Sequence, residues 1–372
     1  MSSRVVMADV AKRAGVHVTT VSLALRNHPS LPASTRERIQ ALAREMGYQP
    51  DPALRALIHY RGGLRSQRNM PTLAYVTNWG SEFGWKSDLP HEHFFSGALE
   101  RATQLGYRLE HFWLGQPGLT HQRMSDILYN RGITGVIIAS QRYENEVPLS
   151  FDWPRLSAVK IDFVPHEPPL HTVTNDQRAI IQLAMRQVID AGYRRIGFVI
   201  PETWDHGVDL AWSSGYLAQQ RKLPKSDHLP ILLFPYTPPS GQSADRNAPA
   251  QLVPRKEFQN WIQRHRPEVI ISAASVVMPR IEELGLSVPE DVAFVDILLE
   301  KTDGRVAGVR QNCARVGELA VEILAGQLQQ NTYGVPEFPT VTLVEGTWFD
   351  GASLPVRENG RPAATRPRAA AK

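Results

Sequence analysis

A short stretch near the amino terminus carries side chains suited to molecular recognition. From His17 to Arg26, the apolar residues Val21, Ala24 and Leu25 follow helical spacing and are predicted to face inward. The outward positions hold aliphatic, hydroxyl and guanidinium groups, at Val18, Thr19, Ser22, Leu23 and Arg26. Such groups form hydrogen bonds and apolar contacts with a partner. We therefore interpret this face as a contact surface.

Two short helices around a tight turn must position this surface. Ala8–Ala14 contains good helix formers, with Val10, Ala11 and Ala14 forming a small apolar face. Gly15 then suits the left-handed position that ends a helix. A small residue at Ala11 lets the two helices cross closely, as a helix-turn-helix requires. The alternative interpretation is an ordinary helical hairpin.

This stretch resembles the DNA-binding head of the LacI/GalR family of bacterial transcription regulators. The family pattern is D-V-A-x-x-A-G-V-S-x-x-T-V-S-x-x-L, and the chain departs from it at His17, where the family has serine. The matching positions are Asp9, Val10, Ala11, Ala14, Gly15, Val16, Thr20, Val21, Ser22 and Leu25. The resemblance implies that the second helix lies in the major groove of DNA.

The resemblance also implies which side chains touch DNA. The base-contacting residues would be Val18, Thr19 and Leu23, and family members often have arginine where Leu23 stands. An aliphatic side chain can contact a thymine methyl but cannot form the bidentate contact to guanine. The predicted phosphate contacts are His17, Thr20, Ser22, Arg26 and Arg36. For Thr20 and Ser22 the alternative is helix packing and capping.

Two further helices are predicted before the body of the protein. Pro32–Met46 has an apolar stripe that can cover the first two helices. A short helix then begins at Asp51 and ends at Gly62. By resemblance it is a hinge helix that enters the minor groove through Leu54 and Leu57. The alternative is that these leucines and Ile58 dock on the body.

Composition supports a basic head on a mildly acidic body. The first 68 of 372 residues hold 11 Lys and Arg against four Asp and Glu, whereas the remainder holds 30 against 33. This asymmetry favours phosphate binding by the head. The one cysteine, Cys313, excludes an internal disulfide, and no export signal or membrane span is evident. We therefore expect a cytoplasmic protein with no membrane partner.

From Pro71 onward, apolar strands alternate with helical segments. This rhythm predicts an α/β body of two doubly wound parallel-sheet subdomains, similar to periplasmic binding proteins, behind an all-α head. The predicted domains are a head (1–49), hinge and linker (50–70), a two-lobed body (71–355) and a disordered basic tail (356–372). The predicted lobes are 71–172 with 303–335, and 173–302 with 336–355.

A ligand is expected between the lobes, outside the carboxyl ends of the strands. The resemblance suggests a sugar-like effector, but Trp212 stands where sugar-binding members have arginine, and Ser272–Val276 lacks their carboxylate. The Trp79–Phe95 loop is a candidate ligand loop or lid. Its His91 and His93 do not share a helical face, so neither a metal nor a cofactor is predicted. The candidate effector-binding residues are Asn78, Trp79, Trp85, Ser140, Asp162, Trp212, Ser275 and Asp296.

The leading hypothesis is a homodimeric repressor that binds operator DNA and is switched by a small effector. Dimerisation is expected because one short recognition helix contacts few base pairs. One alternative is a constitutive DNA-binding protein with a vestigial cleft. Another is an enzyme on a periplasmic-binding-like body, against which the sequence offers no phosphate loop, nucleophile elbow or paired carboxylates.

Overall fold

The amino-terminal head forms a three-helix unit. The structure is a computed structural model, and it describes residues 5–25, 31–48, 70–141, 148–164, 166–235, 252–358 and 361–362. The head contains α1 (Met7–Ala14), α2 (Val18–Leu25) and α3 (Ala33–Glu45). The predicted hinge helix, with Leu54 and Leu57, lies outside the described residues, as does Arg26.

Small apolar side chains hold the head together. Its buried residues are Val10, Ala11, Ala14, Val21, Ala24, Ile39 and Ala43. Gly15 ends α1 with φ of 68°, in the left-handed region that glycine tolerates best. The carboxylate of Asp9 accepts a hydrogen bond from the amide of Val6 at the start of α1. The predicted helix-turn-helix is therefore confirmed.

The first lobe is a six-stranded parallel sheet in the order β11-β5-β4-β3-β1-β2. Its strands are β1 (Thr72–Asn78), β2 (Arg108–Trp113), β3 (Gly135–Gln141), β4 (Ser157–Ile161), β5 (His171–Asn175) and β11 (Val341–Val344). Its helices are α4 (Leu89–Gln104), α5 (His121–Asn130) and α11 (Cys313–Gln330). Helices follow strands because parallel strands need crossover connections.

The second lobe repeats this architecture in the order β12-β10-β9-β8-β6-β7. Its strands are β6 (Ile196–Pro201), β7 (Leu232–Phe234), β8 (Val269–Ser272), β9 (Ala293–Asp296), β10 (Ala307–Arg310) and β12 (Thr347–Phe349). Its helices are α6 (Gln177–Asp190), α7 (Glu202–His206), α8 (Ala211–Gln220), α9 (Arg255–His265) and α10 (Ala274–Glu283). Only β12 runs antiparallel to its described partner, β10. The predicted pair of parallel-sheet subdomains is confirmed.

The chain crosses between the lobes at different places from those predicted. It leaves the first lobe after β5, returns after β10 and leaves again after β11. Residues 173–175 and β11 therefore belong to the first lobe, and β10 to the second, which corrects three of the predicted boundaries. These short strands pair with strands distant in sequence, so local pattern gave no sign of which sheet they join.

The two helices that cover one face of the first sheet, α4 and α11, cross at close range. A Cβ added at Gly97 would collide with the backbone of Ala314, and one at Gly317 would collide with the backbone of Phe94. The ion pair between Arg101 Nε and Glu322 Oε1, at 2.9 Å, spans the same pair of helices. Glycine is thus required by the close approach of the two backbones.

The start of the predicted disordered tail is anchored to the second lobe. Strand β13 (Arg357–Glu358) pairs with β14 (Arg361–Pro362). The guanidinium of Arg357 lies 2.7 Å from Glu268 Oε1 and 4.0 Å from the centre of the Tyr193 ring. The predicted boundary at 356 is therefore too early. Residues 363–372 lie outside the described part of the chain.

Candidate DNA-contacting helix and inter-lobe cavity

Helix α2 presents two of the three predicted base-contacting side chains to solvent. Val18 and Thr19 are exposed and Leu23 is half-buried, whereas Val21 and Ala24 pack into the head. The amino-terminal turn of a recognition helix is the part that reaches base edges. The geometry therefore suits the predicted contact.

Of the described phosphate-contact candidates, His17, Thr20 and Ser22 lie at or on this helix, whereas Arg36 lies on α3 and lines a cavity with Pro71 and Tyr107 of the body. His17 is exposed and its carbonyl oxygen accepts hydrogen bonds from the amides of Thr20 and Val21, so it begins α2. Thr20 and Ser22 are half-buried. Arg36 Nη1 donates to the carbonyl oxygen of Leu31 at 2.8 Å, which ties this guanidinium to the loop before α3.

A cavity lies between the lobes. Its volume is about 840 Å³, within the range of small-molecule sites. The first lobe contributes Leu89, Pro90 and His93 from the start of α4. The second contributes Ser275 from α10 and Asp296 from the end of β9. The residues that cross between lobes complete it, with Gln311, Asn312, Cys313 and Ala314.

Asp296 is the best-defined acceptor in this cavity. Its Oδ1 accepts hydrogen bonds from the amides of Leu298, at 2.8 Å, and Ala274, at 3.3 Å. The described residues donate no hydrogen bond to Oδ2. Burial raises the pKa of the Asp296 carboxyl to about 6, against the opposing effect of the two amides. The carboxyl is thus oriented by backbone while one oxygen stays available to a ligand.

Asp162 occupies the matching strand end in the first lobe. It follows β4 with a positive φ of 67° and accepts a hydrogen bond from Thr174 Oγ1 at 2.6 Å. Burial raises its pKa, and His91 and Thr174 act in the opposite direction. Asp162 does not line the cavity, but Cys313 does. Burial raises the pKa of the Cys313 thiol, and the nearby charge of Asp162 adds to this increase.

The structure does not bring two predicted tryptophans to the cavity. Trp85 is 1% exposed and packs against Tyr75 and Phe95, and Trp212 is 4% exposed within the core of the second lobe. Their predicted place in the cleft is wrong, because both rings fill the space between helices and sheet. With Trp85 anchored in this way, the predicted lid is held against the first lobe.

The remaining candidates lie at strand ends of the first lobe. Asn78 is the last residue of β1, and Ser140 lies one residue before the end of β3. Trp79 is half-buried; its carbonyl oxygen accepts from Trp113 Nε1 at 2.7 Å and its ring contacts His91. Neither Asn78 nor Trp79 lines the described cavity, and the side chain of Ser140 lies outside the described part of the structure. Of the eight candidates, the structure brings Ser275 and Asp296 together there.

Several cavity residues were not among the named candidates. Leu89, Pro90 and His93 begin the helix after β1, inside the Trp79–Phe95 segment predicted as a ligand loop or lid, and the rule that ligands bind beyond strand carboxyl ends could have selected them individually. Gln311 follows β10, where the chain crosses back to the first lobe. Leu298, Leu299 and Arg310 carried no signal, because an aliphatic or basic residue at or just after the end of a strand is common.

Neither a metal site nor a membrane span is found in the described part of the chain. No group of three or more His, Cys, Asp and Glu side chains there is arranged to hold a metal ion. No described helix is long and apolar enough to cross a bilayer.

Comparison with known proteins agrees with this architecture. The model of the lacI family of bacterial regulatory proteins matches residues 6–51, and that of the periplasmic binding protein-like domain matches residues 167–353. The HTH-type transcriptional regulator reg1 of Streptomyces lividans is 24% identical over 342 residues, which cover 87% of this chain and 90% of that protein.

Two solved structures share the fold over almost the whole chain. The transcriptional regulator CelR, in complex with cellobiose, superposes with a TM-score of 0.54 at 19% identity and covers 93% of this chain and 98% of its own. The lac repressor dimer, bound to operator and the anti-inducer ONPF, has a TM-score of 0.50 at 17% identity, with 95% and 99% covered.

Fold and sites together define a class of protein, in which a helix-turn-helix head precedes a two-lobed body of the periplasmic-binding-protein type. The chain belongs to the LacI family of bacterial regulatory proteins and is a DNA-binding transcriptional regulator.

Proposed function

We propose that this regulator is a homodimeric repressor whose affinity for operator DNA is switched by a small, sugar-like effector held between its lobes. It acts in the cytoplasm, where the bacterial chromosome lies, and it is not an enzyme. The observation that carries the proposal is a cavity lined by both lobes in a chain that also carries an exposed recognition helix.

A cavity shared by two lobes couples ligand binding to their relative position. A ligand that contacts both lobes favours the closure in which both sets of contacts are made. Because the head is joined to the amino end of the first lobe, a change in closure alters the spacing of two heads in a dimer. The ligand and DNA then affect each other's affinity by the same factor.

The cavity wall favours a hydroxyl-bearing ligand. Asp296 offers a carboxylate oxygen, Ser275 and Gln311 add short polar groups, and Leu298 and Leu299 add apolar surface. Sugars present hydroxyl donors beside apolar C–H faces, so this combination suits them. CelR, which has the same fold, was solved in complex with cellobiose.

Thermal melting against a panel of mono- and oligosaccharides, including uronic and deoxy sugars, tests the effector. A compound present at about 100 times its Kd stabilises the folded state by about 2.7 kcal/mol, which raises Tm by several degrees. The same compound must then change operator affinity. The Asp296→Asn variant should lose most of the shift, whereas Asp126→Asn, at an exposed position on α5, should keep it.

A constitutive regulator with a vestigial cleft is the second candidate. It is favoured by Trp212, which fills the core at the position where the family's ligand-binding arginine is expected. If no compound raises Tm and none changes operator affinity, the effector proposal fails and this candidate replaces it.

A further inference from the structure

The side chains of His17 and Thr19 form a hydrogen bond at the amino-terminal end of α2. His17 Nδ1 lies 2.7 Å from Thr19 Oγ1. The backbone amide of Thr19 points at the same ring nitrogen, 3.4 Å away. Both side chains are exposed on the surface that meets DNA under the proposed function. The ring therefore serves as a side-chain cap for the helix that it begins.

The contact with the Thr19 amide assigns the proton of the neutral ring. A nitrogen that accepts a hydrogen bond from an amide presents a lone pair, so we assign the lone pair to Nδ1 and the proton to Nε2. The hydroxyl of Thr19 can then act only as a donor in its contact with Nδ1. It donates its hydrogen to Nδ1, and its remaining lone pairs point away as acceptors.

We propose that His17 is a positioning residue that fixes the polarity of Thr19, so that Thr19 contacts its base as an acceptor. In the major groove the exocyclic amines of adenine and cytosine are donors, whereas guanine O6 and thymine O4 are acceptors. Thr19 would therefore select adenine or cytosine on the strand that it faces. The proposal rests on the proposed function, specifically on α2 entering the major groove.

A selection from randomised DNA duplexes with the full-length protein tests the proposal. The position contacted by residue 19 is the one whose base preference changes in Thr19→Val, which removes the hydroxyl at nearly constant shape. We expect the unaltered protein to prefer adenine or cytosine there by about fivefold, the value of one net hydrogen bond, and Thr19→Val to lose this preference.

Two substitutions at His17 separate polarity from helix capping. The His17→Asn variant keeps a hydrogen-bond acceptor at a position where asparagine caps helices well, so it should retain the preference for adenine or cytosine. The His17→Lys variant offers only donors, so the Thr19 hydroxyl must turn a lone pair toward the ammonium group. The base preference should then move to guanine or thymine. Unchanged preferences at positions that depend on Val18 and Leu23 control for a correctly docked helix.

Three results would overturn the proposal. They are a guanine or thymine preference at the Thr19-dependent position of the unaltered protein, an unchanged preference in His17→Lys, and a selected operator with no position that depends on Thr19. In each case an operator is still selected, so the proposed function survives. Selection of no sequence at all would contradict the proposed function itself.

Discussion

At the scale of single residues, function in this chain depends on which side chains leave the core. Val18 and Thr19 are exposed on a helix whose other face is packed, and Asp296 is held by backbone amides at the edge of a cavity. In both places the fold fixes the direction of a side chain and leaves it available to a partner. Substitutions at Val18 and Thr19 should change recognition more than stability.

Leu23 gives the first residue-scale prediction. An arginine at this position can form two hydrogen bonds to guanine, which leucine cannot. Leu23→Arg should therefore increase preference for guanine at one position of each half-site by about fivefold or more, as expected for a bidentate contact worth about 1–3 kcal/mol. Selection from randomised duplexes measures this, and Leu25→Met, on the packed side of α2, is the control. An unchanged base preference would refute the assignment of Leu23.

Asp296 gives a prediction that depends on pH. Its folded-state pKa of about 6 lies above the ordinary value of 3.8, so the folded state binds this proton more tightly than the unfolded state does. The resulting stabilisation is present below about pH 4 and is lost as pH rises through about 6, at about 1.4 kcal/mol per unit of pKa difference. Above pH 6 the buried charge therefore costs stability.

Asp296→Asn removes this cost. The Tm of the variant minus the Tm of the unaltered protein should be higher at about pH 7.5 than at about pH 5. Asp126→Asn, at an exposed site, should show no such change. If the difference in Tm between the two proteins is the same at both pH values, the Asp296 carboxyl does not lose stability on ionisation and is not buried as in the structure.

At the scale of elements, the helix pair α4 and α11 determines the geometry of the first lobe. The amino-terminal ends of both helices line the cavity, so their spacing also sets its width. Gly97 and Gly317 lie where the backbones meet. A side chain at either position must push the helices apart.

Gly97→Ala and Gly317→Ala should each lower Tm by several degrees, because overpacking of a tight contact costs about 1–3 kcal/mol. Gly326→Ala is the matched control on α11, since nothing lies within 4 Å of its added Cβ. It should leave Tm unchanged or raise it, because alanine favours helix more than glycine does. Equal effects at Gly317 and Gly326 would show that the close crossing is absent in solution.

The sequence predicts structure correctly where the determining residues are close together along the chain. The residues from Asp9 to Leu25 are contiguous, and their order alone predicts the helix-turn-helix. It failed for Trp85 and Trp212, because burial of an aromatic ring depends on what packs over it from distant segments. It also failed for β10 and β11, whose pairing is set by strands far away in sequence.

At the scale of the whole molecule, the structure joins a basic head to a body that can hold a ligand. The segments that cross after β10 also line the cavity through Gln311 and Cys313, so the cavity contains the connection between the lobes. Under the proposed function, a ligand there contacts the segment that joins the two lobes. This placement would link effector binding to lobe closure without a separate relay.

The anchored end of the body adds a stability prediction at this scale. Although burial alone would raise it, the pKa of Glu268 is lowered by the amides of Arg194 and Arg195 and by Arg357. Arg357→Ala should therefore lower Tm modestly while leaving operator affinity unchanged, since the contact lies within the second lobe and involves no residue of the head. A change in operator affinity would show that the anchor takes part in the switch.

The most direct test of the account is selection of DNA sequences by the full-length protein from a fully randomised duplex pool. We predict a two-fold symmetric pair of half-sites, bound with an affinity that falls steeply as salt rises, because a dimer presents two copies of α2 and a basic head. Recovery of no enriched sequence, or of a single unpaired site, would contradict a dimeric, sequence-specific regulator.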